Sequence, residues 1–226
     1  MYYFKFYSFG RYTSTTLSHL LNNEIYACPI NKLNDPFENY WVEFEEQRYR
    51  SVNKEFWKRV EEKKLVFCLC SNKEKTFPYS PDSILMWSHY AKSHTGFCIM
   101  FSADILKTPN QVANNCNSMI YRDDIPGNVE TSYSSEADRE LFRILHQKYP
   151  CWEYEHEARL IFETSGPNYN PIPPNCIMAI FCGCNISDKN KRKLRKFATE
   201  IGIPIHVLKP CSNKYGFTED EVSKTI

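Results

Sequence analysis

The chain has 226 residues, of which 42% are hydrophobic and 24% charged, with a net charge of +1 at pH 7. This composition excludes a disordered chain, offers no bulk charge to attract nucleic acid or a membrane surface, and fits one domain with some elaboration. Only 7 glycines argue against a glycine-rich phosphate cradle.

The opening MYYFKFYSFG alternates and is aromatic, so it reads as a first strand over residues 2–7 and not as a signal peptide. With no long apolar run either, the chain is expected in the cytoplasm, with its 10 cysteines as reduced thiols. Leu17, Leu20 and Leu21 recur at i, i+3 and i+4, which predicts a short helix over Thr13–Asn23. Glu24–Ile30 is strand-like, and NKLNDPFEN that follows is a turn. Phe56, Trp57 and Val60 mark one side of an amphipathic helix over 51–64, LVFCLC (65–70) is a buried strand, and the Pro-, Ser- and Lys-rich stretch 71–82 is a loop. A short helix is expected over 83–91, capped by Asp82 or Ser83, before strands at Gly96–Phe101 and Ser118–Arg122.

Ser135–His146 reads as a helix opened by Ser135 and Asp138. Glu153–Glu163 reads as one long strand, and 168–175, with Pro171, Pro173 and Pro174, as a loop. The clearest fold signal comes last. An apolar strand, Cys176–Cys182, precedes a helix capped by Ser187 or Asp188, with Leu194, Phe197, Ala198 and Ile201 on one stripe and Gly202 as its stop. Strand Pro204–Leu208 completes a unit of βαβ size, which predicts parallel strands and a right-handed crossover. The expected architecture is therefore α+β: a single domain, a mixed sheet flanked by helices, a C-terminal βαβ unit, and residues 210–226 as a flexible tail.

Three polar-aromatic segments concentrate the chemistry, and they are expected to line one site. In Asn34–Glu38, Pro36 stiffens the turn and pushes Asp35 into an extended conformation. Asp35 and Glu38 are then presented as a base or a ribose-binding pair, with a plain Asx turn as the alternative. In Met86–Cys98, Trp87 and Tyr90 share an aromatic helix face with Met86, while His89 and His94 titrate near neutral pH and suit acid, base or ligand roles. The same spacing also fits ordinary packing. In Trp152–Phe162, a period of two places Glu153, Glu155, Glu157, Arg159 and Ile161 on one face and Trp152, Tyr154, His156, Ala158, Leu160 and Phe162 on the other. Stacked carboxylates repel, so Arg159, a lysine from elsewhere, a metal or solvent must compensate. Such a pair can do acid–base work, and an exposed polar sheet face is the alternative.

Two further patterns are weaker. Lys189, Lys191, Arg192, Lys193, Arg195 and Lys196 form a basic helix face that reads as solvated, with nucleic-acid binding as its lesser use. Cys68/Cys70 and Cys182/Cys184 provide four thiols of the kind zinc takes, but each pair lies in an apolar run where cysteine packs as a small core residue, and no metal site is assigned.

LNDPFE (33–38), LMWSHYAKSHTGFCI (85–99) and WEYEHEARLI (152–161), in that order, resemble the bacterial family of domain of unknown function 2971. The resemblance runs from Phe6 to about Cys182. It implies an intracellular accessory protein of bacteria or mobile elements and carries no established activity; a stress or phage-defence setting is an expectation of the functional readings and not of the resemblance. The chain departs from the family in its opening segment, where Lys5 and Arg11 are the only basic residues. The order of elements is also similar to that of ADP-ribosyltransferases. That likeness implies NAD as a cofactor and Glu155 or Glu157 as the late glutamate that stabilises a cationic sugar. The resulting expectation is an enzyme acting on a nucleotide-like substrate. Glu155, Glu157 and His94 would be catalytic, and Asn34, Asp35, Glu38, Trp87, His89, Tyr90, Trp152 and Arg159 would bind substrate. The alternatives are a non-catalytic ligand sensor or interaction module, and a metal-dependent hydrolase or nuclease using Asp35, Glu155 and Glu157.

Overall fold

A computed structural model describes residues 1–35, 37, 63–111, 117–123, 145–163 and 168–220. In chain order the strands are β1 (Tyr2–Tyr7), β2 (Glu24–Tyr26), β3 (Cys28–Pro29), β4 (Lys64–Asn72), β5 (Phe97–Phe101), β6 (Asn117–Ser118), β7 (Ile120–Tyr121), β8 (Gln147–Lys148), β9 (Glu157–Glu163), β10 (Tyr169–Pro171), β11 (Ile177–Cys182), β12 (Ile205–Pro210) and β13 (Phe217–Glu219). The helices are α1 (Thr13–Leu21), α2 (Ile84–His89) and α3 (Asp188–Ile201). None of them is long and apolar enough to cross a membrane. The fold is α+β with a mixed, mostly antiparallel sheet. Apart from their last two residues, the helices expected over 51–64 and 135–146 lie outside the described residues, as does Glu38.

The chain forms two compact units that interleave in sequence: 1–25, 69–109 and 171–226 make the first, and 26–68 and 110–170 the second. In the first unit the strands run β13–β12–β11–β5–β1, with the end of β4 beyond β1. β11 and β12 are parallel, Ile180 opposite Ile205 and Cys182 opposite Val207, while β1, β5 and β11 pair antiparallel. The sequence dictates α3 directly. Ser187 caps it by accepting from the Asn190 N–H at 3.4 Å, Leu194, Phe197 and Ala198 are buried, and Gly202 ends it at φ 72°. The parallel strands and intervening helix of the βαβ unit are thus as expected. The aromatic content goes into the core: Phe6 meets Trp87 edge-on at 5.0 Å, Phe4 lies 5.4 Å from Phe77, and Tyr7 stacks on Phe97 at 5.1 Å.

In the second unit β3 and β4 pair antiparallel, and β9 lies between β4 and β6. β7 and β8 form a separate parallel pair, with Tyr121 opposite Lys148. Four sequence expectations change. The strand expected over Ser118–Arg122 is two strands, because the chain switches partner at Met119. The Met119 N–H bonds Glu157 O at 3.0 Å, and the next N–H, of Ile120, bonds His146 O at 2.6 Å. The long strand expected over Glu153–Glu163 begins only at Glu157. Pro150, which has no N–H to lose, opens a 3-10 turn over Pro150–Glu155, and His156 ends it at φ 45°, ψ 44°. Within 168–175, expected as loop, Tyr169–Pro171 forms β10 and pairs with β2; Pro171 is tolerated at the strand's end. Within the expected tail, Phe217–Glu219 covers the edge of β12 antiparallel, and 221–226 lie outside the described residues.

Two glycines mark a close backbone approach in the first unit. A Cβ at Gly183 would sit 2.2 Å from His94 O, and one at Gly96 2.1 Å from Tyr7 O, whereas Gly10 meets nothing within 4 Å. Gly183→Ala is therefore expected to lose about 2–3 kcal/mol or more through backbone displacement. Gly10→Ala should stay within about 0.5 kcal/mol of wild type. Urea denaturation of the two variants checks this, and equal stability would contradict the close approach.

Candidate functional site

The most concentrated chemistry lies in the second unit, around a corner of the chain. Glu155 ends the 3-10 turn, His156 takes the left-handed conformation, and Glu157 opens β9. Both carboxylates turn inward to one lysine: Lys148 Nζ, from β8, lies 2.6 Å from Glu155 Oε2 and 2.9 Å from Glu157 Oε2. Arg159, two residues along β9 and so on the same face as Glu157, reaches back to it. Its Nε donates to Oε1 at 2.7 Å and its Nη2 to Oε2 at 3.1 Å, while Nη1 donates to Leu145 O at 2.9 Å. Glu155, Glu157, Arg159 and Lys148 are 3%, 4%, 2% and 5% exposed. Among the described residues two cations face two carboxylates, and opposite charge is what lets such groups be buried together.

Burial alone would raise the Glu157 carboxyl, but the Arg159 and Lys148 charges, the Arg159 hydrogen bonds and one from the Cys68 side chain hold it far below the usual carboxylate range. Glu157 is thus a fixed anion, poorly suited to exchanging protons near neutral pH. Its backbone N–H donates to Tyr121 Oη at 3.1 Å. Burial pushes the Tyr121 phenol up to about 12, and the Tyr154 phenol likewise to about 12, with the Glu155 charge adding to the latter. The aromatics of the turn stand above this frame. Lys148 Nζ lies 4.8 Å from the centre of the Trp152 ring, which is 6.2 Å from that of Tyr154; Trp152 and Tyr154 are half-buried, and Tyr149 and His156 exposed.

The expected single strand face of Glu153, Glu155, Glu157 and Arg159 does not form, and the alternative of an exposed polar face does not hold for three of the four. Glu153 points to solvent, whereas Glu155, Glu157 and Arg159 are buried, and the even spacing of a strand does not extend before Glu157. Of the four compensating partners the sequence left open, two act, Arg159 and a lysine from elsewhere, Lys148. Sequence reasoning did not single out Lys148, Tyr121 or the His156 corner. Pro150 was the available signal, since it breaks the strand period just after the lysine.

The second motif lies in the first unit. Trp87 is core: it is fully buried, and its indole N–H donates to Pro78 O at 3.0 Å, so it cannot stack a ligand from there. His89 is exposed, and its ring lies 6.5 Å from that of half-buried Tyr90. His94 is held with unusual strain. Lys92, Ser93 and His94 have φ of 48°, 52° and 64°, three successive non-glycine residues in the left-handed region. Each costs roughly 1–2 kcal/mol. Backbone bonds from Ser93 N–H to Ser88 O (3.0 Å), His94 N–H to Trp87 O (3.1 Å) and Asn185 N–H to His94 O (3.0 Å) hold the run. The Ser88 hydroxyl lies 2.9 Å from Ile84 O and 3.1 Å from His94 Nε2, while His94 Nδ1 is buried without a partner. Donation by Ser88 to Ile84 requires His94 Nε2–H to donate to Ser88 and leaves Nδ1 as a bare lone pair, a cheaper orphan than a buried N–H. Burial also lowers the His94 pKa, so the ring is neutral at pH 7.

The structure thus assigns His94, Trp87, His89 and Tyr90 to one unit and Asn34, Asp35, Trp152, Glu155, Glu157 and Arg159 to the other. Asp35 is buried, and its Oδ1 accepts from the Phe37 N–H at 2.9 Å, the Asx turn. Asn34 is exposed. On α3, Lys189, Arg192, Lys193 and Lys196 are exposed, Lys191 pairs with Asp188 at 3.4 Å and Lys193 with Ser14. Among the described residues no three His, Cys, Asp or Glu side chains are grouped to hold a metal.

Glu157→Gln removes the anion between two buried cations and should cost about 3–5 kcal/mol at pH 7. The folded carboxyl lies below its ordinary value of 4.5, so its contribution is complete above pH 4.5 and is lost as pH falls towards the folded value. Urea melts from pH 7 to pH 3 should show wild-type stability falling below pH 4.5 more steeply than that of the variant. Parallel acid limbs would count against an ionised, buried Glu157.

No curated protein and no solved structure matches the chain. A family model does, that of DUF2971, a protein of unknown function, over residues 86–160. This matched stretch runs from the start of the His94 motif into β9, so the likeness to DUF2971 is a likeness of that segment.

Proposed function

We propose that the protein binds a nucleotide-like ligand through the second unit, with Trp152 and Tyr154 against its planar ring and the Lys148–Glu155–Glu157–Arg159 quartet as the frame that holds them. One observation carries the reading. A buried cluster of ion pairs pins both sides of a left-handed residue beside half-buried aromatic rings. Buried ion pairs seldom add stability over apolar packing of the same shape, and left-handed non-glycine residues persist where surroundings force them. Their coincidence is explained by what the corner presents.

The enzymatic form of this proposal is a transferase or hydrolase acting on the bound nucleotide. In it Glu157 acts as a permanent anion near developing positive charge and not as a proton donor. The ADP-ribosyltransferase-like order of elements makes NAD the first ligand to try. A second reading, a sensor that binds without reacting, draws on a specific feature: both Glu157 oxygens already accept charged hydrogen bonds. A hydrolase built on a hard cation at Asp35, Glu155 and Glu157 is less apt, because the metal would have to displace Lys148 and Arg159.

Titration calorimetry with NAD, ADP-ribose, ATP and GTP, with chromatography of each mixture for turnover, tests the proposal. At least one of these should bind saturably. Loss of stacking worth about 1–3 kcal/mol predicts that Trp152→Ala weakens it roughly 5- to 160-fold. Product formation selects the enzyme and its absence the sensor. No binding of any of the four by a natively melting protein would overturn both.

A further inference from the structure

Three residues of the first unit that no sequence motif marked come together where β13 returns along β12. His206 lies on β12, Glu219 closes β13 opposite Leu208, and Tyr79 ends a 3-10 turn, Phe77–Tyr79. His206 Nδ1 is 3.3 Å from Glu219 Oε1, and the two side chains are 27% and 28% exposed, reachable from solvent. The sheet sets the floor: Phe181 on β11 is directly opposite His206, and the imidazole stacks on its ring at 5.0 Å and 20°. Tyr79 stands edge-on to both, 5.6 Å from Phe181 and 6.4 Å from His206. Gly216 makes room for it, since a Cβ there would lie 2.9 Å from Tyr79 O.

The hydrogen-bonding inventory then narrows what the site can take. With the Glu219 carboxylate accepting from Nδ1–H, the His206 Nε2 is a lone pair. Neither that nitrogen nor the Tyr79 hydroxyl bonds any protein group among the described residues. Burial, with the Glu219 charge second, pushes the Tyr79 phenol up to about 12, so it remains a donor at neutral pH. One open acceptor and one open donor, on rings whose centres are 6.4 Å apart, suit a flat group that carries both an N–H and a C=O. A carboxylate in place of the amide has no N–H for the open acceptor, which disfavours an acid at this edge. The matched segment adjoins this place, because the His94 ring packs 5.5 Å from Phe217, two residues before Glu219 on the same face of β13.

We infer that Tyr79, His206 and Glu219 form a second ligand site, for the uncharged planar amide edge of a carboxamide or a nucleobase. It is independent of the proposed nucleotide site, since the residues that read it out belong to the other unit. With 6 histidines in the chain, long-range proton–nitrogen NMR of the imidazoles is readable. His206 should show a proton on Nδ1 and a bare Nε2. Nicotinamide represents the carboxamide and uracil the nucleobase; nicotinate keeps the first ring but replaces the amide with an anion. The expected result is a saturable shift of His206 Nε2 with nicotinamide, uracil or both, and none with nicotinate. Tyr79→Phe, which keeps the ring and loses only the hydroxyl, should weaken that binding roughly 2- to 12-fold. Glu219→Gln should move the proton distribution of His206 without unfolding the protein. A proton on Nε2 in the wild type, no shift with either amide, or an equal shift with nicotinate would overturn the inference.

Discussion

Burial of charge requires neutrality, and in the second unit that requirement falls on Lys148. Glu155 and Glu157 are adjacent to the same residue, so both carboxylates enter the interior at one corner, and their repulsion must be cancelled there. Lys148 counters it by bridging them, and Arg159 grips Glu157 with two further hydrogen bonds. The local architecture follows from this. The chain can leave the 3-10 turn only through a left-handed His156, β9 can begin only at Glu157, and the Glu157 backbone is free to serve Met119 and Tyr121 where the neighbouring strand changes partner. The frame is rigid because each member has its charge answered, and rigidity is what a ring-stacking turn above it needs.

The first unit solves a similar problem without charge. Its strained run, Lys92–His94, is held by backbone hydrogen bonds and by two glycines that let Gly183 and Gly96 pass close to neighbouring carbonyls. His94 is neutral and its donor is committed, which makes it an anchor of the loop. The open imidazole nearby is His206, oriented by Glu219.

What the sequence made legible was periodic. The alternating start, the LVFCLC run and the Leu194–Phe197–Ile201 stripe with Ser187 and Gly202 at its ends all became the elements their patterns predict. The carboxylate motif was legible as a problem of charge, and the lysine that answers it was expected as a type but not as a position. Periodicity failed where one residue changed the geometry. A left-handed histidine cannot be read from a run of alternating glutamates, and extrapolating the strand backwards put Glu155 on the wrong kind of element. β13 and the His206–Glu219 pair were hidden for a different reason. Their contact spans 13 residues and depends on a strand return that carries no apolar signal of its own.

The central claim, that Lys148 holds the corner through Glu155 and Glu157, is a statement about coupling. It is tested most directly by a double-mutant cycle of Lys148→Met and Glu155→Leu, read by urea denaturation at pH 7. Each single change leaves a charge uncompensated and should be severe, and the double, which removes both, should cost less than the sum by more than about 1 kcal/mol. Additivity within about 0.3–0.5 kcal/mol would mean that the two side chains stabilise the protein independently, and the account of the corner would fail.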